Sequence, residues 1–345
     1  MDTEYLKQRF LTFAETECKG NSDLYYGLSF RIANDAELLN IAANTRQGQP
    51  IPNIFFAAIH YLLLKNQDNK LAEYYPSIQN NLSTEIPFDL FKAFCLANKN
   101  EIDKIISTRI VQTNVISRCS YLMPIFSKII AEESKPTTII DIGTSAGLTL
   151  NFDKYQYWYN DKKTYGQSNV IVKSKIIGSE DPRIYDISQP IIKIGIDQNL
   201  IDPIDEDEIM WLKALVWTDQ IERFVAIDEA LKLDELKKIQ FIQADTVLDF
   251  ERVILKTDKI QNLIIYATHV LYQFHQNQKD EFYSMLERIG QFRDFYFLSV
   301  EGIKPLLEKY NSKDTVIELT SYKNKHKTET FIAETNGHGN WIKWK

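Results

Sequence analysis

The chain has 345 residues, 44% of them hydrophobic, 12% aromatic and 25% charged, the composition of an ordinary soluble globular protein with room for one large or two moderate domains. A net charge of −7 argues against a nucleic-acid surface built on phosphate contacts, and the compact basic run Lys323–Lys327 (K-N-K-H-K) reads as a hairpin tip in solvent. Cys18, Cys95 and Cys119 are far apart and never form C-x-x-C, which argues against a thiolate zinc site and a disulfide framework and fits a reducing cytoplasm. The first residues, M-D-T-E-Y-L-K-Q-R-F, lack the apolar core of a signal peptide, and the longest apolar stretch, Ile54–Leu64, is half a membrane span. The expectation is a cytoplasmic protein that engages neither membrane nor nucleic acid.

Residues 1–133 read as a helical cap domain that closes over a site. Ile54–Leu64 is apolar all round, as a buried helix is, and Phe88–Ala97 and Ile102–Ile130 repeat apolar residues every three or four positions. Gly20–Ser22, Gly48–Pro52 and Pro76 punctuate these patterns, and no strand is expected before residue 137. Arg109, Gln112 and Thr113 are spaced to share one helical face, with Asn114 and Arg118 nearby; that polar face either closes a cleft or meets solvent or a partner.

Beyond Lys135–Pro136 the texture changes. Apolar, β-branched runs at Thr137–Ile142, Pro190–Ile196, Ile239–Gln243, Asn262–Ala267 and Phe295–Val300 alternate with helical patterns at Glu206–Leu233, Lys279–Phe292 and just after Gly302. Such alternation implies a parallel sheet covered on both faces. Thr315–Tyr322 and Thr328–Thr335 flank the basic run as an antiparallel hairpin. The expected fold class is therefore α/β, a Rossmann-like methyltransferase sheet of five parallel strands with a C-terminal antiparallel hairpin, over residues 134–345. The Tyr-rich segment 152–189 interrupts it as an insertion or small hairpin over the site. Trp211, Trp217 and Phe224 read as core, and Asp205–Glu208 as negative charge at a helix N-terminus.

The first strand ends in the turn I-I-D-I-G-T-S-A-G-L-T-L-N, a Gly-rich elbow expected to lead into a helix. A dinucleotide fingerprint would need glycine where Ser145 and Leu148 stand, and no G-K-[ST] follows to make a P-loop. Gly143-Thr144-Ser145-Ala146-Gly147 does fit G-x-S-x-G, and chain order allows Ser145, then Asp245 or Glu301, then His338, as in a serine hydrolase. Against that, the elbow follows the first strand, with no oxyanion loop before it. A tight turn holding no ligand is the third possibility.

Acids at strand ends suit a nucleoside cofactor better. Asp141, Asp197 and Asp245 each end a successive strand, the edge where open α/β sheets bind ligands. A carboxylate at Asp197 can accept from two ribose hydroxyls, and Asp245, followed by Thr246, from an adenine amino group. His269 and Tyr272, in A-T-H-V-L-Y after the fourth strand, are the candidate catalytic pair where a transferred group would meet its acceptor, His269 as proton acceptor or as a structural histidine. Glu301, after the fifth strand, is a further candidate on that edge.

Q-T-N-V-I-S-R-C, I-I-D-I-G-T-S-A-G-L-T-L-N-F-D-K-Y-Q-Y, I-G-I-D-Q-N-L-I-D-P-I-D, W-L-K-A-L-V-W-T-D-Q-I-E-R and the terminal H-G-N-W-I-K-W together identify the chain as resembling an uncharacterised bacterial family, domain of unknown function 2332, along nearly its whole length. Its strand order resembles S-adenosylmethionine-dependent methyltransferases. That resemblance implies S-adenosylmethionine as cofactor, with Asp141, Gly143 and Gly147 at its methionine end, Asp197 at the ribose and Asp245 at the adenine, and Thr144, Ser145 and Thr246 as further cofactor-binding positions. The acceptor would be a small molecule. Three departures stand out: Thr144-Ser145-Ala146 replaces the middle of G-x-G-x-G, and Asp197 lies 56 residues past Asp141 where roughly 20 is usual. In addition, Val115 occupies the place of an acid in the family's Q-T-N-E. The alternatives are a serine esterase built on Ser145 and a non-catalytic nucleoside-binding protein.

Overall fold

The computed structural model describes residues 2–79, 85–112, 114–179 and 182–345. Two compact units divide the chain, Met1–Thr113 with Asp202–Asp228, and Asn114–Ile201 with Glu229–Lys345. The boundary thus differs from the expected one at residue 133. Helix Cys119–Glu133 packs Phe126 against Phe152 and Tyr266 and belongs to the second unit, while helix Glu206–Ala214 joins the first through Trp211 and Ala214.

The first unit is helical throughout its described residues. Helix Ile51–Lys65 is its axis: every residue from Ile51 to Leu63 except Asn53 is buried, as a helix apolar on all sides must be. Tyr25 stacks on Phe56 at 4.2 Å, and Trp217 meets Phe13 edge-on at 5.5 Å. The expected long helix from Ile102 to Ile130 does not form. Helix Lys99–Thr108 ends at Arg109, whose ψ of 163° is extended, and helix resumes only in the 3-10 turn Ile116–Arg118. Ile110, Val111 and Val115 lose less side-chain freedom in an extended segment than in a helix. Arg109 and Gln112 therefore share no helical face, and Thr113 lies outside the described residues. Arg109 instead pairs with Asp207 and lies over the rings of Tyr61 and Trp211. The Glu206–Leu233 pattern is likewise two helices, Glu206–Ala214 and Ile221–Leu231, parted by a turn in which Asp219 accepts from Ser22 Oγ at 2.7 Å.

The second unit carries one mixed sheet. Its strands are β1 (Thr137–Ile142), β2 (Gln156–Tyr159), β3 (Lys162–Tyr165), β4 (Ile171–Ile176), β5 (Ile191–Asp197), β6 (Gln240–Gln243), β7 (Asn262–Thr268), β8 (Phe295–Glu301), β9 (Thr315–Lys323), β10 (His326–Thr335) and β11 (Trp341–Trp344). They lie in the order β3-β2-β4-β11-β10-β9-β8-β7-β1-β5-β6. The run β6-β5-β1-β7-β8 is parallel throughout, and β9 and β10 follow antiparallel. β1 and β7 are buried at every position, which is why they read as continuous apolar runs. Helices Val247–Lys256 and Gln276–Gly290 bring Phe250, Phe282 and Met285 against Ile140, Ile142, Ile265 and Phe297 on one face. Asn324 and Lys325, both at positive φ, form the two-residue tip of the β9–β10 hairpin, the place read for the basic run.

Two local expectations are corrected. The elbow after β1 leads not into an α-helix but into the 3-10 segment Leu148–Lys154, interrupted at Asn151. The Tyr-rich insertion does not fold over the site: its strands β2, β3 and β4 extend the sheet at the end remote from β1, joined through β4 to β11. Tyr155 and Tyr159 are buried there because each hydroxyl finds a main-chain acceptor, Leu148 O and Ser120 O, both at 2.5 Å.

Candidate functional site

β1 connects to β5 on one side, and the chain later returns to β7 on its other side. Between the carboxyl ends of β1 and β7 lies the sheet's switch point, the crevice where such sheets place ligands. The elbow Gly143–Gly147 follows one strand, and the turn His269–Gln273 follows the other.

The elbow is shaped by the chain's own packing. Gly143 has φ +81° and Gly147 φ +72°. A Cβ at Gly143 would sit 2.6 Å from Val270 Cγ2, and one at Gly147 would sit 2.8 Å from the Phe241 ring. Ser145 takes φ +55°, unusual for a residue with a Cβ, and its amide donates to Asp197 Oδ2 at 2.9 Å. Asp197 Oδ1 accepts from Asn199 N at 2.9 Å, so this acid at the end of β5 holds the turn in place. Thr144 presents its carbonyl to Asn114 Nδ2 at 3.0 Å. The Ser145 hydroxyl is buried with no hydrogen-bond partner among the described residues.

Asp141 is 2% exposed and accepts from Thr149 Oγ1 at 2.8 Å, and that hydroxyl also meets Tyr266 OH at 3.1 Å. Burial pushes its carboxyl up to about 7, in spite of those hydroxyl donors. Asp245 and Thr246 lie exposed past the end of β6, where Thr246 caps helix Val247–Lys256 by accepting from Asp249 N at 3.2 Å.

His269 ends β7 at φ +53°, with its amide donating to Val300 O at 2.9 Å and its Nε2 buried and unpartnered among the described residues. Burial, then the neighbouring Arg118 and His338, hold the imidazole down to about 3, so it is neutral throughout the physiological range. Arg118 donates from Nε to Gly337 O and from Nη1 to Thr268 O, both at 3.1 Å. Ser117 Oγ donates to His338 O at 2.6 Å and Ser120 Oγ to Gly339 O at 3.0 Å, so the terminal H-G-N-W segment is strapped beside β7. Glu301 is fully buried; its Oε1 accepts from Val270 N and Leu271 N, each at 2.8 Å, while Oε2 has no partner among the described residues. Burial raises it to about 7. Tyr272 is 58% exposed, and its hydroxyl accepts from Gln273 Nε2 at 3.4 Å.

Asp141, Ser145, Asp197, His269 and Glu301 are thus on one sheet edge, with Asp245 and Thr246 at its far, exposed end. Of the serine-hydrolase grouping, Ser145 Oγ makes no hydrogen bond to His338 or to any other described residue. Thr149 and Tyr266 escaped sequence reasoning. Tyr266 had a signal, since T-T-I-I-D and N-L-I-I-Y match position for position and the register pairs Asp141 with Tyr266. Thr149 had none beyond its place eight residues on.

Fold and edge together define an α/β protein with a large mixed sheet, a polar carboxyl edge and a separate helical unit. A family model described as "Uncharacterized protein conserved in bacteria (DUF2332)" matches residues 7–344, and the chain belongs to that family. No curated protein matches it. No helix among the described residues is long and apolar enough to cross a membrane, and they contain no group of three or more His, Cys, Asp or Glu arranged to hold a metal ion.

Proposed function

We propose that this edge binds S-adenosylmethionine and that the protein transfers its methyl group to a small-molecule acceptor. The observation that carries the reading is the pair of buried polar atoms without a partner among the described residues, Ser145 Oγ and His269 Nε2, on the two turns that flank the switch point. Buried polar atoms are rarely left unsatisfied, and a ligand at that crevice would satisfy them. The parallel order β6-β5-β1-β7-β8 supports a Rossmann-like methyltransferase sheet; the departure comes after β8, where β9, β10 and β11 continue as a meander.

The donor and acceptor set fits this cofactor. Asp197 and Asp245 are acceptor-only groups at successive strand ends, suited to a ribose diol and an adenine amino group. Carboxyls along the edge favour a ligand bearing a sulfonium and an ammonium. When bound, the cofactor supplies an electrophilic methyl on positively charged sulfur. The chain's contribution is orientation and exclusion of water: Asp197 fixes the elbow, and Asp141 holds Thr149 beneath it. His269, neutral at physiological pH, orients the acceptor by a hydrogen bond at Nε2 and is a poor proton acceptor.

Calorimetric titration with S-adenosylmethionine and S-adenosylhomocysteine tests the reading. Micromolar binding, weakened at least about tenfold in Asp197→Asn, is expected from the loss of one charged acceptor. Absence of binding to both compounds would overturn it. One observation favours a second reading: Ser145, in the turn after β1, takes φ +55°, the strained backbone of a nucleophile elbow. Labelling by a fluorophosphonate, abolished in Ser145→Ala, would establish that esterase reading instead.

A further inference from the structure

The sheet's outer end carries a charge opposite to that of the whole chain. β2, β3, β4 and β11 together hold five lysines (Lys162 and Lys163 in β3, Lys173 and Lys175 in β4, Lys343 in β11) and no acidic residue. One face of these strands is covered. Tyr157, Tyr159, Val172 and Ser174 are buried on it, and Tyr159 reaches Ser120 in helix Cys119–Glu133.

Among the described residues the opposite face is open, and its register is ordered. Trp158 stands between Lys163 on β3 and Lys173 on β4 in one cross-strand row. In the next row Trp341 on β11 stands beside Lys175 on β4. All three of these lysines are exposed and both indoles are half-buried. Lys163 and Lys175 make no ion pair among the described residues. Two strand spacings across and two residues along place the indoles about 12 Å apart, room for two separate stacked rings.

We infer that this face binds single-stranded nucleic acid, the Trp158 and Trp341 rings stacking bases and the flanking lysines meeting phosphates. A polymer that alternates flat π faces with negative charge matches both elements of each row. An anionic membrane would match the lysines and the exposed Ile171 on the same face of β4, but its apolar phase calls for more side chains that stand proud, and both indoles are half-buried. The net charge of −7 argues against such a surface for the chain as a whole, but that sum averages over four strands that carry lysines and no acid, of which Lys343 pairs with Glu334 on β10. The inference is independent of the cofactor reading.

The test is fluorescence anisotropy of a labelled oligouridylate with the full chain at low salt. Binding is expected, falling with salt by a slope of roughly −0.7 per phosphate neutralised. The exposed double variant Lys163→Gln/Lys175→Gln should weaken it and flatten that slope. Trp341→Leu should weaken binding about tenfold while Trp341→Phe retains most of it, since stacking needs a ring and not an indole. Failure to bind, binding unchanged in the lysine variant, or preference for phosphatidylserine vesicles over the oligonucleotide would overturn the inference.

Discussion

At Asp141 burial and charge oppose each other most directly. The carboxyl is 2% exposed and raised to about 7, so the folded chain holds a proton that the unfolded chain releases near pH 4. Its contribution to stability is full below pH 4 and is lost as pH rises through 7. Asp141→Asn keeps an acceptor for the Thr149 hydroxyl and removes the ionisation. It is expected to melt several degrees above the parent at pH 8 and level with it near pH 4, measured by calorimetry at both pH values. Glu301, raised to about 7 by its own burial, adds to the same window. His269, lowered to about 3, acts with the opposite sign: its contribution is present above pH 6.5 and lost as pH falls through 3. A parent more stable at pH 8 than Asp141→Asn would show that the Asp141 carboxylate has an ionic partner that compensates its burial.

At the scale of elements, the elbow and β5 are fitted to each other. Gly195 lies opposite Asp141 in the ladder, and a Cβ there would come within 2.7 Å of Thr144 Cγ2. Nothing in its backbone requires glycine; the close approach of Thr144 does. Gly195→Ala is therefore expected to push the elbow out of place, destabilising the chain by about 1–3 kcal/mol in urea titration. In the same variant, affinity for S-adenosylhomocysteine should fall more than in a stability-matched control away from the edge. Equal loss in the two would mean that the elbow takes no part in binding. The segment between β1 and β5 shows how far an element can depart from its expected form. Where a helix would usually return the chain, a 3-10 segment and three strands carry it to the opposite end of the sheet. That excursion accounts for the 56 residues between Asp141 and Asp197.

At the scale of the molecule, the helical unit is discontinuous in sequence. Trp211, Ala214 and Leu215 belong to the same buried cluster as Phe10, Phe55 and Leu63, and the Trp211 indole donates to Ile110 O at 2.9 Å. His60, fully buried, meets Ala214 O through Nδ1 at 3.1 Å and is lowered to about 4. A fragment of residues 1–113 alone lacks these partners and leaves His60 Nδ1 without its acceptor. It is expected to show no cooperative thermal transition, whereas the whole chain does. A cooperative transition in the fragment would show that residues 202–228 dock on a core already complete.

The amino-acid sequence by itself determined the helical character of the first hundred residues, the five apolar strands and the hairpin. Those features are local: periodicity, β-branched runs and turn residues record which faces are buried wherever the chain goes. It also placed Asp141, Asp197 and His269 at strand ends, because a strand's end is marked by the residues around it. Only the tertiary structure decided where the Tyr-rich segment goes, since the alternating pattern of Q-Y-W-Y and V-I-V-K fits an edge of any sheet equally well. It alone joined Asp197 to the Ser145 amide, brought Arg118 beside His269 and set Trp158 between two lysines. Those pairs lie tens to hundreds of residues apart, or on different strands, and nothing local specifies which strand lies next to which.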